Sequence, residues 1–358
     1  MHKPDSSDKH LSAAVQKLGL AVVFLSLVVL ALLYFLIFGF PRLKAEAPVR
    51  DAAASATTIK KPAPKVPWSA PALTEIPLDE SGKAILYGRD LIANTAKYLG
   101  PHGSVARVSN GMNCQNCHLD AGTRLYGNNY SAVASTYPKF RERSGRTENI
   151  YKRVNDCFER SLNGHALDST SREMQAIKAY ITWLGKDVPK GSKPEGVGIV
   201  DLPYPDRAAD PEKGKTFFAS KCVSCHGTGG EGKMNTDGIT YQYPPLWGQH
   251  SYNDGAGLFR LTRFAGYIKY NMPFGATHDA PQLTDEEAWD IAAFVNAQSR
   301  PKGNISKDWP KLSGKPIDNP FGPYADSFSQ QQHRLGPYGP IAEARKKQKK
   351  ETRPTQHP

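Results

Sequence analysis

The sequence predicts a mainly α-helical protein: two similar domains in tandem behind one N-terminal membrane-spanning helix. Three observations predict it. Residues 18–40 run for 23 positions without a charge. A helical pattern, a short cysteine motif, an irregular stretch and a second helical pattern then occur twice. A Pro- and Gly-rich connection separates the two copies. At 358 residues the chain is long enough for two domains with real cores.

Taken in order, residues 1–17 are polar and expected on the cytoplasmic side. The apolar run 18–40 is long enough to span a bilayer at about 1.5 Å per residue. It exceeds the roughly 7–15 apolar residues of a secretory signal, so a retained anchor is expected rather than a cleaved one. Residues 41–76, rich in Pro, Ala and Lys, read as a linker. The first domain is assigned to 77–190. It opens with "DESGKAILYGRDLIANTAKYLG" (79–100), which has an acidic start and a glycine end, and it closes with "SREMQAIKAYITWLGKD" (171–187). The segment "VPKGSKPEGVGIVDLPYPD" (188–206) is dense in Pro and Gly, and 191–206 is taken as the interdomain linker. The second domain, 207–300, opens with "DPEKGKTFFASK" and closes with "LTDEEAWDIAAFVNAQ" (283–298). The closing helices align without gaps, "EMQAIKAYI" against "EAWDIAAFV". Two copies argue for paired domains and against a solenoid. Residues 301–358 form a C-terminal extension with a basic tail.

The formal net charge is +12, with much of the excess in two flanking runs, "IKKPAPKVP" and "ARKKQKKETR". No nucleic-acid motif accompanies them, so they read as solvated charge and no nucleic-acid partner is expected.

The strongest signal is "CQNCH" (114–118) and "CVSCH" (222–226). In a CxxCH motif each thiol adds across a haem vinyl group and the adjacent histidine ligates iron. A zinc site would need four soft ligands, and a CxxC redox pair would not need the histidine twice. Two covalently bound haem c groups are therefore expected, on Cys114, Cys117 and His118 and on Cys222, Cys225 and His226. These features identify the domains as class I cytochromes c, which implies a small helical domain wrapped on each haem. Attachment of this kind belongs outside the cytoplasm. The expected location is the bacterial inner membrane, with a single-pass anchor and the haem domains in the periplasm.

The sixth iron ligands differ between the copies. In the second, "KYNMPFG" supplies Met272, 46 residues after His226; Met234, His250 and Lys269 are weaker candidates. In the first, the corresponding loop has no methionine. Cys157 lies there instead, 39 residues after His118 and 20 before Ile177; Met272 lies 19 before the aligned Ile291. His165 is its competitor. The flanking residues "RVNDCFERSLNG" are polar and cationic, which favours a thiolate. On a helix, Arg153, Cys157, Arg160 and Ser161 would lie mostly on one face.

Several stretches after residue 80 resemble the thiosulfate dehydrogenases, dihaem cytochromes c related to the SoxA family. They are "LIANTAKYLG", "NGMNCQNCHLDAG", "RVNDCFERSLNG", "YPPLWG", "SYNDGAGLFR", "NMPFG" and "NPFGPYADSFS". The resemblance implies His118 and Cys157 on the iron of an active-site haem, and His226 and Met272 on that of an electron-exporting one. It also implies Arg143, Arg153 and Ser161 at the substrate site. Arg141 and Arg146 stand close to Arg143. Some relatives carry an alternative lysine ligand beside the methionine, where this chain has Asn271. The implied activity joins two thiosulfates into tetrathionate, or reverses that reaction, with an external cytochrome or quinone-linked system exchanging the electrons. The competing reading is a membrane-anchored dihaem electron carrier with no substrate chemistry of its own.

Overall fold

A computed structural model describes residues 6–38 and 66–351, which fall into two compact units. The first holds helix α1 (Ser6–Phe38). Its stretch Lys17–Tyr34 is strongly apolar and wholly unburied, and by length and composition α1 can cross a membrane. The last two positions of the expected span, and most of the expected linker, lie outside the described residues.

The second unit contains both repeats. From Trp68 onward the chain packs on the first core, and Ile76 is buried in it. Helix α2 (Glu80–Ala93) starts at Asp79, whose carboxylate accepts from Gly82 N at 3.1 Å. The sequence pattern carries this helix to residue 100, but it breaks at Asn94 and resumes as α3 (Thr95–Leu99). The break docks the helix on the first cysteine motif. Thr95 Oγ1 donates to Leu91 O at 2.7 Å and accepts from Cys114 N at 2.9 Å, while Ala96 N donates to Asn113 Oδ1 at 2.8 Å.

The irregular stretch that follows includes an antiparallel hairpin of β1 (Lys139–Arg141) and β2 (Arg146–Glu148). Helix α4 (Ile150–Asp156) comes next and ends in one π-helical turn, Cys157–Ser161. Helix α5 (Arg172–Leu184) closes the repeat, capped by Ser171. In the second repeat, α6 (Pro211–Lys221) is capped by Asp210 with proline in its first turn. Helix α7 (Leu261–Asn271) leads to Met272, and α8 (Asp285–Ala297) opens on a capping box between Thr284 and Glu287.

The duplication is visible atom by atom where the opening and closing helices cross. A Cβ on Gly88 of α2 would sit 1.9 Å from the Ala176 carbonyl oxygen and 2.9 Å from Tyr180 Cβ. A Cβ on Gly214 of α6 would sit 1.8 Å from the Asp290 carbonyl oxygen and 2.9 Å from Phe294 Cβ. Ala176 and Tyr180 are the residues that the gap-free alignment pairs with Asp290 and Phe294. Both crossings thus require glycine for close approach.

The connection after residue 188 is a packed strap. Tyr126 N donates to Gly196 O at 2.8 Å, Asn128 N to Gly198 O at 2.9 Å, and Trp289 Nε1 to Pro203 O at 3.2 Å. The C-terminal extension touches both repeats as well. Phe321 stacks on Phe259, which rims the first core, and Phe328 packs on the second. Tyr338 and Ile341 are fully buried in the second core. Helix α9 (Gly339–Glu351) then exposes Lys346, Lys347, Lys349 and Lys350, as solvated charge should be.

Gly214→Ala is expected to destabilise the haem-loaded protein by about 3 kcal/mol, because the added methyl overlaps a backbone carbonyl. Gly339→Ala, with open space around it, should be near neutral. Denaturant unfolding of both variants against wild type checks the pair.

Candidate functional site

Each repeat encloses a cavity beside its cysteine motif. The first, about 470 Å³, is lined by Cys114, Cys117 and His118 and also by Arg143, Arg153, Cys157 and Ser161. The second, about 440 Å³, is lined by Cys222, Cys225, His226 and Met272. Met112, Asn113, Cys117, Tyr252 and Leu258 line both, so the two cavities adjoin. No two of the five cysteines are joined as a disulfide.

These cavities fit a haem each. His118 Nδ1 lies 2.5 Å from Asn128 O, and His226 Nδ1 lies 2.9 Å from Pro244 O. A carbonyl on Nδ1 fixes the ring and leaves Nε2 free for iron. His118 is also stacked on Tyr130, with ring centroids 4.4 Å apart. Tyr252, which lines both cavities, has a buried hydroxyl with no well-formed hydrogen bond among the described residues. A propionate-bearing macrocycle is a group that would supply one.

Cys157 reaches the first cavity from the end of α4. Asn149 caps that helix by accepting from Lys152 N at 2.9 Å. The π turn is closed by Leu162 N donating to Cys157 O at 2.9 Å. Such single turns recur at functional sites because the extra residue redirects side chains. Arg153, one turn earlier, places Nη1 3.1 Å from the Cys157 sulfur. Burial alone would push the thiol up, yet the Arg153 charge, with His118 close by, holds it down to about 6. The sulfur in turn raises Arg153, outweighing its burial. Arg160, expected on the same face, lines the cavity but is engaged in a two-pronged bond to Asp308.

Six arginines line the first cavity: Arg141, Arg143, Arg153, Arg160, Arg260 and Arg263. Arg160, Arg260 and Arg263 are neutralised by Asp308 at 2.7 Å, Asp318 at 2.7 Å and Asp201 at 2.9 Å. Arg143, also largely buried, has no close carboxylate. Its nearest carboxylate oxygen is 4.0 Å away, on Asp308, and its Nη1 donates to Gly255 O at 2.8 Å. Burial, with Arg160 alongside, brings its guanidinium down to about 10. Arg146 is exposed on β2 and does not line the cavity.

The weaker ligand candidates lie away from the cavities or are otherwise engaged. Met234, His250 and, in the first repeat, His165 are exposed and line neither cavity. Lys269 is tied to Asp285 at 2.9 Å and to Leu283 O at 2.5 Å. Asn271 is buried and donates to Tyr267 O at 2.9 Å. Sequence reasoning missed the contribution of Arg260 and Arg263, which precede and begin α7 yet wall the first cavity. It also missed Trp309, whose only signal was an aromatic residue in the C-terminal extension.

Known proteins match both repeats. Residues 104–189 match the SoxA/TsdA cytochrome c domain, and residues 211–299 match cytochrome c. A thiosulfate dehydrogenase of Psychrobacter arcticus is 43% identical over 257 residues, covering 71% of this chain and 74% of that one. The chain belongs to the thiosulfate dehydrogenase family. Another member, from Allochromatium vinosum, is 37% identical over 242 residues, covering 66% of this chain and 86% of that protein. Among solved structures, the "as isolated" form of thiosulfate dehydrogenase (TsdBA) from Marichromatium purpuratum matches with a TM-score of 0.61 at 33% identity. It covers 66% of this chain, which spans half the length of that one. Two cytochrome c domains make this family member a dihaem c-type cytochrome.

Cys157→Met should leave both haems attached but exchange a thiolate for a thioether at the first site. Redox titration is expected to show the lower-potential component rising by about 100 mV or more, with the other unchanged. An unmoved titration curve would remove Cys157 from the iron.

Proposed function

We propose that this protein oxidises two thiosulfate ions to tetrathionate in the first cavity and exports the electrons by way of the second. One observation carries the reading. In a member of the thiosulfate dehydrogenase family, the Cys157 sulfur stands against Arg153 in a cavity whose Arg143 lacks a close counter-charge.

The reaction forms one S–S bond between the outer sulfurs of two dianions. It releases two electrons and needs neither water nor a proton. Its electrostatic difficulty is the approach of two dianions, which a site must offset with fixed positive charge. Arg143 and Arg153 supply that charge, and a guanidinium can grip two oxyanion oxygens at once. Ser161, on the same cavity wall, offers a hydroxyl donor. Arg260 and Arg263 are held by their own carboxylates, so they shape the wall and add little net charge.

Cys114 and Cys117 are the proposed attachment thiols of the first haem, with His118 and Cys157 as iron ligands. Cys222, Cys225, His226 and Met272 hold the second in the same way. When bound, the two groups would supply one-electron redox capacity each, enough together for both electrons. Cys157 is also a nucleophile on the cavity wall besides the attachment thiols, poised as thiolate by Arg153. Helix α1 serves as a single-pass anchor in the bacterial inner membrane. The haem domains lie in the periplasm and exchange electrons with an external cytochrome or quinone-linked system.

Stopped-flow spectra of the oxidised protein are expected to show haem reduction by thiosulfate, and the reduced protein should be reoxidised by tetrathionate. Cys157→Ala should keep two covalent haems per chain and lose turnover on the order of a hundredfold or more. If thiosulfate leaves the wild-type haems oxidised and tetrathionate leaves them reduced, the carrier reading replaces this one.

A further inference from the structure

The C-terminal extension carries two residues that the chemistry above leaves unused. Residues 305–310, "ISKDWP", cross to the β1–β2 hairpin. There Trp309 N donates to Arg143 O at 2.7 Å, and the Arg143 guanidinium lies 5.5 Å from the centroid of the Trp309 ring. The Pro310 ring comes so close to Gly145, a left-handed residue of the same turn, that a Cβ there would sit 2.6 Å from it. Trp309 itself has φ of 60°, a region that a bulky side chain enters only when its surroundings force it. Arg143 and Trp309 together line both the first cavity and a neighbouring one of about 600 Å³.

We infer that Trp309 and Asp308 are positioning residues: the extension holds the Arg143 side chain toward the substrate cavity without cancelling its charge. The division of labour follows from the distances. Both Asp308 oxygens are engaged by Arg160, at 2.7 and 2.8 Å, so that carboxylate meets Arg143 only at 4.0 Å. What lies over Arg143 is an aromatic face. A ring attracts a cation through its quadrupole but brings no negative charge to compete with an incoming dianion. A carboxylate in the same place would orient the arginine and also neutralise it. The Gly255 carbonyl, at 2.8 Å from Nη1, acts in the same sense, as a neutral acceptor. This inference rests on Arg143 being the cation that meets thiosulfate.

The test uses the full-length haem-loaded protein and steady-state thiosulfate oxidation. Trp309→Leu removes the ring and is expected to raise KM for thiosulfate roughly tenfold, with kcat within about twofold. The visible spectrum of the Cys157-bearing haem should not change. Trp309→Phe restores a ring and should recover KM to within about threefold of wild type. Equal impairment in both variants, or an unchanged KM in Trp309→Leu, overturns the inference, since burial alone would not distinguish a ring from an aliphatic chain. If the leucine variant does not accumulate, Trp309→Met is read in the same way against Trp309→Phe. Wild type unable to oxidise thiosulfate would overturn the functional reading and this inference with it; wild-type turnover with an unaffected Trp309→Leu sinks this inference alone.

Discussion

The close crossing of an opening helix on a closing helix is the constraint on which the rest of the structure depends, and it is made twice. At Gly88 and at Gly214 a backbone carbonyl occupies the space where a side chain would be. That approach lets Leu91 and Ile92 meet Ile177 and Ile181 in one core, and Phe218 meet Ile291 and Val295 in the other. Burial of this kind contributes about 1.5–3 kcal/mol for each large apolar side chain. The crossed pair is also a fixed frame. The cysteine motif hangs from one end of it through the Thr95 and Asn113 bonds, and the irregular segment must close over the remaining space. The cavities are what that closure leaves.

Once the two frames exist, the differences between them are differences of charge. The second cavity places a thioether, neutral and apolar, on the same lining as its histidine. The first places a thiol that can ionise, and a buried anion is costly unless it is paired. Arg153 supplies the pair at 3.1 Å. Each further arginine on the wall raises the opposite problem, that of buried positive charge. The fold resolves it selectively: Asp308, Asp318 and Asp201 neutralise three, whereas Arg143 receives a ring, a carbonyl and a distant carboxylate. The cavity is therefore tolerant of an anionic guest.

The two repeats are also interdependent. Tyr252 and Ala256 belong by sequence to the second repeat but are buried in the first core, and the same loop walls the first cavity. The strap after residue 188 bonds the first repeat through Gly196 and Gly198 and the second through Pro203. The first cavity is thus completed by chain from the second repeat and from the extension.

The sequence by itself determined the elements whose causes are local. Helix periods, caps at Asp79, Ser171, Asp210 and Thr284, the apolar N-terminal run and the two cysteine motifs depend on neighbours within a few residues. So does the register of the duplication, which placed Cys157 opposite the position of Met272 and drew attention to Arg153 one helical turn away. What only the tertiary structure decided depends on residues far apart in the chain. The break at Asn94 follows from docking onto Cys114, against the local helical pattern. The neutralisation of Arg160 follows from Asp308, 148 positions later. The choice of Arg143 over Arg146, and the ring that Trp309 lays against it, follow from a strap crossing to the hairpin. Pairing of charges across such separations has no periodic trace in sequence, because it is set by which surfaces meet once the helices have crossed.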